Sequence, residues 1–337
     1  MTLKKGLLIG AKVAVSVALI AYLSTKIDLG AAADRIATAD WALVAGAVTL
    51  LFLQNVIGSF RWWIVLRTLQ TPAPISYLKA LLFFFIGIFF NQALPSTVGG
   101  DVVRIYKTRR AGVKLGVTVN SVMLERAGTV LALILMVIAV LPAFLPRIGE
   151  AEAAWIAPAS GVLLVVALAG LGFLMILDRL PENLTRFRLI QGLVQLAVDA
   201  RRVFLSPIPA FSTIGVAAIG HFNLCLGVYL LALSLDINVT LIDCVALFLP
   251  VLLVMTLPIS IAGWGLREGA MVAAFALISV PETSAFALSI LFGLINVAAA
   301  IPAGIAFLLS GDGHSLSDME HEVEDGEAAL QQQNKQA

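Results

Sequence analysis

Charged residues are missing from seven stretches of the chain: 41–60, 80–100, 127–146, 153–177, 203–235, 244–266 and 283–311, each 20 residues or longer. A helix needs roughly 20 apolar residues to cross about 30 Å of hydrocarbon. Only helices and closed barrels satisfy their backbone polar groups in lipid. Barrel strands would alternate polar and apolar positions in segments of about ten, and these blocks do not. The pattern therefore predicts an all-α polytopic membrane protein. A further crossing is expected near 7–24, where an apolar run from Val13 to Ser24 follows Lys4, Lys5 and Lys12. With no clear small-x-small cleavage site before Lys26, that run reads as a retained anchor.

Lys and Arg collect in alternate loops. One set holds Lys4, Lys5 and Lys12, then Arg61, Arg67 and Lys79, then Arg104 to Lys114, then Arg179 to Arg202. The other set, 25–40, 142–154, 236–243 and around 282, carries only Lys26, Arg35 and Arg147 among eight acids. The positive-inside rule puts the basic set, and with it both termini, in the cytoplasm, and the chain in the cytoplasmic (inner) membrane.

That assignment leaves block 80–100 flanked by basic loops on both sides, which a single crossing forbids. A re-entrant hairpin resolves the conflict, breaking at Pro95-Ser96-Thr97-Val98-Gly99-Gly100. The break recurs. Leu94-Pro95 precedes Gly99, Gly100 and Arg104; Leu257-Pro258 precedes Gly263, Gly265 and Arg267; ten positions separate Leu from Arg in both. The second element would enter from the opposite face, which reads as an inverted repeat. The expected topology is six full crossings, near 7–24, 41–60, 117–141, 155–177, 208–235 and 285–309, with two re-entrant broken-helix elements near 80–104 and 244–281. Segment 183–204 places Leu189, Leu193, Leu196 and Ala197 at helical spacing among Arg residues, a helix suited to the cytoplasmic surface.

Composition adds a boundary. Of 337 residues 60% are hydrophobic and 13% charged, about half the charged share of a soluble domain. The net charge of +1 hides a division: residues 1–310 are basic, whereas 311–337 carry seven acids against Lys335 alone. The first part reads as the integral membrane domain and the second as a disordered acidic cytoplasmic tail. Cys225 and Cys244 lie in or beside apolar blocks and read as small buried hydrophobes. Ligand spacing for a metal, a Walker loop and a dinucleotide fingerprint are absent from the sequence, so no cofactor and no nucleic acid is expected.

Ionisable groups at membrane depth cost about 2.5–3.5 kcal/mol each on insertion scales and mark pathways or binding sites. Three places hold them: Asp101 and Arg104 after the first break, Glu125-Arg126 within 117–141, and Arg267-Glu268 after the second break. Acid and base occur together each time, so mutual neutralisation is the competing reading. Arginine grips phosphate through a planar fork, and freed backbone N–H groups at a helix start favour anions. Arg104 and Arg267, with Asn91, Gly99 and Gly100 beside the first break, are therefore candidate contacts to a phosphate headgroup. Asp101, Glu125, Arg126 and Glu268 are candidates for charge compensation or proton coupling. His221, alone in block 203–235, reads as an interior residue.

The run Asn91-Gln92-Ala93-Leu94-Pro95-Ser96-Thr97-Val98-Gly99-Gly100-Asp101-Val102-Val103-Arg104 resembles a signature of the lysylphosphatidylglycerol synthase transmembrane (flippase-like) family. Leu124-Glu125-Arg126 and Gly263-Trp264-Gly265-Leu266-Arg267-Glu268 are similar to its later motifs. The resemblance implies a protein that moves or binds an anionic lipid, aminoacylated or glycosylated in different relatives. The best-understood relatives carry a further soluble synthase domain; here an acidic tail follows Ser310, so lysyl transfer is not expected and the translocating part is. Transport would then be downhill or ion-coupled. Two alternatives stay open at this point. One is a membrane-embedded transferase or hydrolase acting on a lipid-linked substrate, with Asp101 or Glu125 as general base. The other is a non-catalytic partner of a lipid-modifying enzyme.

Overall fold

A computed structural model describes residues 27–70, 75–93, 99–179, 188–257 and 263–309. The crossing near 7–24, the break residues 94–98 and 258–262, and the tail 311–337 lie outside the described residues. Eleven α-helices and no strand are found among those described: α1 Leu29–Ala37, α2 Trp41–Leu69, α3 Tyr77–Ala93, α4 Gly99–Arg110, α5 Leu115–Phe144, α6 Glu150–Met175, α7 Arg188–Phe204, α8 Pro207–Ser234, α9 Leu241–Met255, α10 Leu266–Ala276 and α11 Glu282–Leu309. Five of them, α2, α5, α6, α8 and α11, are long and apolar enough to cross a membrane. They match five of the six expected crossings. The protein is an all-α polytopic membrane protein.

Local chemistry fixes the helix starts. Asp40 caps α2 by accepting from the N–H groups of Ala42 at 2.8 Å and Leu43 at 3.4 Å. Thr240 and Asp243 form a reciprocal capping box at the start of α9, and Arg147 closes over it, donating to Asp243 Oδ1 at 2.9 Å. Outside, the bundle is greasy. Val162, Val165, Val166 and Phe173 of α6 are each more than 60% exposed, a surface that only lipid can cover without penalty.

The helices fall into two units of like order. In the first, long helix α2 leads to the short pair α3 and α4 and then to long α5. In the second, α8 leads to the short pair α9 and α10 and then to α11. The first helices of the two units pack closely and run in opposite directions. Asp40 N–H donates to the Ser234 carbonyl at 2.9 Å, and Asn223 Nδ2 donates to the Leu50 carbonyl at 2.8 Å. The third helix of each unit then packs on the short pair of the other: α5 on α9, and α11 on α3. Phe90 meets Phe307 edge-on at 5.1 Å in the second of these seams.

The pair α3 and α4 is antiparallel. Gly100 N–H donates to Asn91 Oδ1 at 2.8 Å, while Phe84, a few residues back along α3, lies over Arg104. Close approach demands glycine on both sides, because a Cβ on Gly100 would fall 1.9 Å from the Gly87 carbonyl oxygen. The chain thus returns to the end it left: Ile75, Ala80 and Val113 share one buried cluster. That end also receives α7, whose Leu196, Ala200 and Val203 pack on Val65, Leu69 and Leu124. It is the basic end, holding Arg67, Lys79, Arg109, Arg110, Lys114, Arg201 and Arg202. At the acidic end Arg35 Nη1 donates to the Leu235 carbonyl at 2.7 Å, tying α1 to the end of α8.

Candidate functional site

The first break motif and the middle of α5 meet in one charged cluster. Asp101 and Arg104 stand three residues apart on α4, on one face; Arg104 Nη2 donates to Asp101 Oδ1 at 2.5 Å. The same nitrogen lies 3.6 Å from Glu125 Oε2 on α5. Arg61 on α2 reaches Glu125 Oε1 through Nε at 2.9 Å and pairs with it again through Nη2. Arg126 closes the chain, pairing with Asp101 Oδ2. Each carboxylate is therefore held between two guanidinium groups, with Arg104 shared by both.

Aromatic rings clamp the shared arginine. Its guanidinium carbon sits 5.1 Å from the Trp62 ring centroid and 4.9 Å from that of Phe84, a cation–π arrangement that strengthens when water is excluded. Trp62 is itself fixed, its Nε1–H donating to Ser121 Oγ at 3.1 Å. Gly87 leaves room for the arginine stem, since a Cβ there would lie 2.9 Å from Arg104 Cγ.

Asp101, Arg104, Glu125 and Arg61 are each less than 7% exposed, whereas half of the Arg126 side chain is open. Glu125 lies ten residues into α5, about 15 Å along its axis, near the middle of a hydrocarbon core about 30 Å thick. A cleft of about 170 Å³ opens here, lined on α3 by Phe84, Gly87, Ile88 and Asn91 and on α5 by Glu125, Arg126 and Thr129, with the arginines between. That is far more than the about 10–15 Å³ that one water needs. Around its mouth the exposed neighbours are apolar: Val102 on α4 and Met123 on α5. The cleft opens sideways, onto a face made for lipid.

The charges do not cancel. Three guanidinium groups face two carboxylates, leaving one positive charge in excess. Arg104 Nη1 is buried with no hydrogen-bond partner. A buried donor without an acceptor costs about 1–3 kcal/mol, more for a charged group, and an anion in the cleft would remove that cost.

The second break presents the opposite picture. Gly263 and Gly265 both adopt φ near +82°, a conformation that requires glycine, and carry Trp264 between them. Glu268 accepts from the Gly265 N–H at 2.5 Å, and its other oxygen accepts from Arg267 Nη2 at 2.5 Å. Arg267 Nε also reaches Ser289 Oγ at 3.2 Å on α11, and its guanidinium lies 4.7 Å from the Trp264 ring centroid. Gly293 admits it, for a Cβ there would come within 2.2 Å of Nη2. Arg267 is 3% exposed and Glu268 fully buried. One acid meets one base here in a closed socket.

Of the residues singled out from the sequence, Arg104, Asp101, Glu125, Arg126 and Asn91 converge on the cleft. Gly99 begins α4, and Gly100 serves the close helix crossing. Arg267 and Glu268 do not line the cleft. Arg61, Trp62, Phe84 and Thr129 belong to the site and were not expected there. Arg61 terminates a charge-free block, so it read as a loop residue at a membrane edge; the helix runs eight residues further, to Leu69. The Trp62-Trp63 pair behind it was the available signal, as it continues the helix but also suits an interface.

The family model described as the Lysylphosphatidylglycerol synthase TM region matches residues 9–304. The chain belongs to this family. A comparison with curated proteins finds no match. Membership in the lysylphosphatidylglycerol synthase TM family ties this multi-pass protein to lipid modification or transport, and the matched region contains both charged constellations described above.

Proposed function

We propose that the protein is a lipid flippase or lipid transporter of the cytoplasmic membrane whose charged cleft accepts the phosphate of an anionic lipid headgroup. Its acyl chains stay in the surrounding hydrocarbon. The observation that carries this reading is the surplus guanidinium charge at mid-bilayer depth, with the unpartnered Nη1 of Arg104 facing a laterally open cleft. A free phosphate site would open to water; this one opens between exposed Val102 and Met123. In this reading α3 and α4 form a re-entrant hairpin entering from the basic, cytoplasmic end. The pair α9 and α10 enters from the acidic end. With 17, 12, 15 and 11 residues, these helices rise about 16–26 Å, short of a full crossing. Asp101 and Glu125 hold the arginines apart and in place until a headgroup phosphate takes over part of their bonding. Asn91 fixes the start of α4, where free N–H groups add to the positive potential.

Reconstitution into vesicles tests this directly. Wild type should move fluorescent phosphatidylglycerol between leaflets and should move fluorescent phosphatidylcholine at least about tenfold more slowly; Arg104→Ala should lose that selectivity together with most of the transport. Equal transport of both lipids by wild type and Arg104→Ala would remove the assignment.

A further inference from the structure

Behind the cleft, on the face of α8 turned toward α2 and α5, lies a second set of buried polar atoms that the anion site does not use. His221 is 5% exposed. Its Nε2 lies 3.1 Å from the Thr129 carbonyl oxygen. A carbonyl oxygen only accepts, so Nε2 carries the hydrogen, and in the neutral ring Nδ1 is left as an acceptor. That Nδ1 is buried and has no partner. Beside it is a second orphan of the same kind, Gln54 Oε1 on α2, also buried and also without a donor. The Gln54 amide packs within 3.2 Å of the Cβ position at Gly220, the residue next to His221. Two neighbouring acceptors with no hydrogen between them are both satisfied by adding one proton to Nδ1. Histidine is the side chain that takes up a proton near neutral pH.

The same ring is wired to the cleft. Thr129 accepts the His221 bond through its carbonyl, while its hydroxyl donates to the Glu125 carbonyl at 2.8 Å and to Glu125 Oε1 at 3.3 Å. The charges that act on His221 are Glu125 on α5, which favours its protonation, and Arg61 on α2, which opposes it. The remaining elements packed on α8 carry their charges at the ends of the bundle: Asp199, Arg201 and Arg202 on α7 at the basic end, Asp243 on α9 and Glu282 on α11 at the acidic end. Thr213, two turns from His221 toward the basic end on the same helix, has a third buried hydroxyl without a partner. It marks a polar route about 12 Å long from His221 toward the cytoplasmic side.

We infer that His221 is the protonation site that couples transport to protons: a proton on Nδ1, bridging to Gln54, and an anionic headgroup in the Arg61–Arg104 cleft favour one another's binding. This rests on the headgroup reading above. An anion beside Arg61 and Arg104 offsets the guanidinium charge that opposes protonation. By reciprocity of linked binding, the protonated ring raises the affinity for the anion by the same factor. His221 touches neither the cleft nor the lipid; it acts through Thr129 and Glu125.

The test is transport of fluorescent phosphatidylglycerol in reconstituted vesicles between pH 5.5 and 8, with wild type, His221→Gln and Gln54→Leu side by side. Wild type should speed up at least about fivefold as the pH falls, the lower range of site-to-site coupling. His221→Gln keeps a donor for the Thr129 carbonyl but cannot titrate. It should transport at the high-pH wild-type rate with a flat profile. Gln54→Leu keeps the histidine and removes the acceptor for its added proton, so its profile should keep its height and move to lower pH. A His221→Gln profile as steep as that of wild type overturns the coupling while leaving the flippase reading intact. Absence of phosphatidylglycerol transport by wild type at every pH overturns the flippase reading, and the coupling with it.

Discussion

Arg61 and Arg104 hold the same carboxylate, yet their removal should have different consequences. Without Arg61, buried Glu125 keeps only the distant contact to Arg104 at 3.6 Å. Stripping one partner from a buried ion pair costs about 3–5 kcal/mol, so Arg61→Ala should lower the thermal unfolding midpoint markedly. Without Arg104, Asp101 still has Arg126 and Glu125 still has Arg61. Arg104→Ala should therefore unfold close to the wild-type temperature while failing to bind anionic lipid. Thermal denaturation of both variants in one detergent separates the two roles. Arg104→Lys keeps the charge but loses the planar group stacked between Trp62 and Phe84, and should recover only a minor part of the transport, about a tenth or less. The sequence pointed to Arg104, Asp101, Glu125 and Arg126, because charge at membrane depth is conspicuous. It hid Arg61, because a charge next to an apolar block looks the same whether the helix ends there or continues.

The short helix pairs depend on glycine and on capping more than on apolar burial. Gly100→Ala drives a methyl group into the Gly87 carbonyl, 1.9 Å away, and no side-chain rotation can relieve a clash with backbone. The α3–α4 pair should separate, with loss of folded protein in detergent; Gly192→Ala, in open space on α7, is the matched control and should be neutral. At the basic end, Arg201 donates to both oxygens of Asp178 and joins α7 to the turn that follows α6. The hydrogen bond from Arg201 holds the Asp178 carboxyl below its ordinary value of 3.8. A depressed carboxylate contributes stability above its unfolded value and loses it as the pH falls through the folded one. Hydrogen exchange in α7 should accordingly rise below about pH 3.8 relative to Asp178→Asn, in which that change is absent. The existence of both broken elements was legible in the sequence from Pro95, Gly99 and Gly100, and from Pro258, Gly263 and Gly265. Their packing was not: the Gly87–Gly100 approach joins two helices across a break, and nothing in hydropathy marks which glycine faces which.

Across the whole molecule, opposed first helices and exchanged third helices make two similar halves with unlike sites. The first half has a net positive, open cleft with an unpartnered donor; the second has a neutral, closed socket around Arg267 and Glu268. The contrast was hidden from the sequence, where both arginines follow similar motifs. The difference comes from the third helix that each one meets. α5 brings a carboxylate and a further arginine to Arg104, whereas α11 brings Ser289 and the space above Gly293 to Arg267. Orientation follows from the hairpins, and single cysteines at Lys79 and Asp236 should react with impermeant reagent from opposite sides of sealed vesicles. The most direct test of the account is the lipid carried by the purified protein. Mass spectrometry of wild type and Arg104→Ala, purified side by side from the same membranes, should find anionic lipid enriched over zwitterionic lipid on wild type and the enrichment gone from the variant. Equal anionic lipid on both would contradict a headgroup site at Arg104.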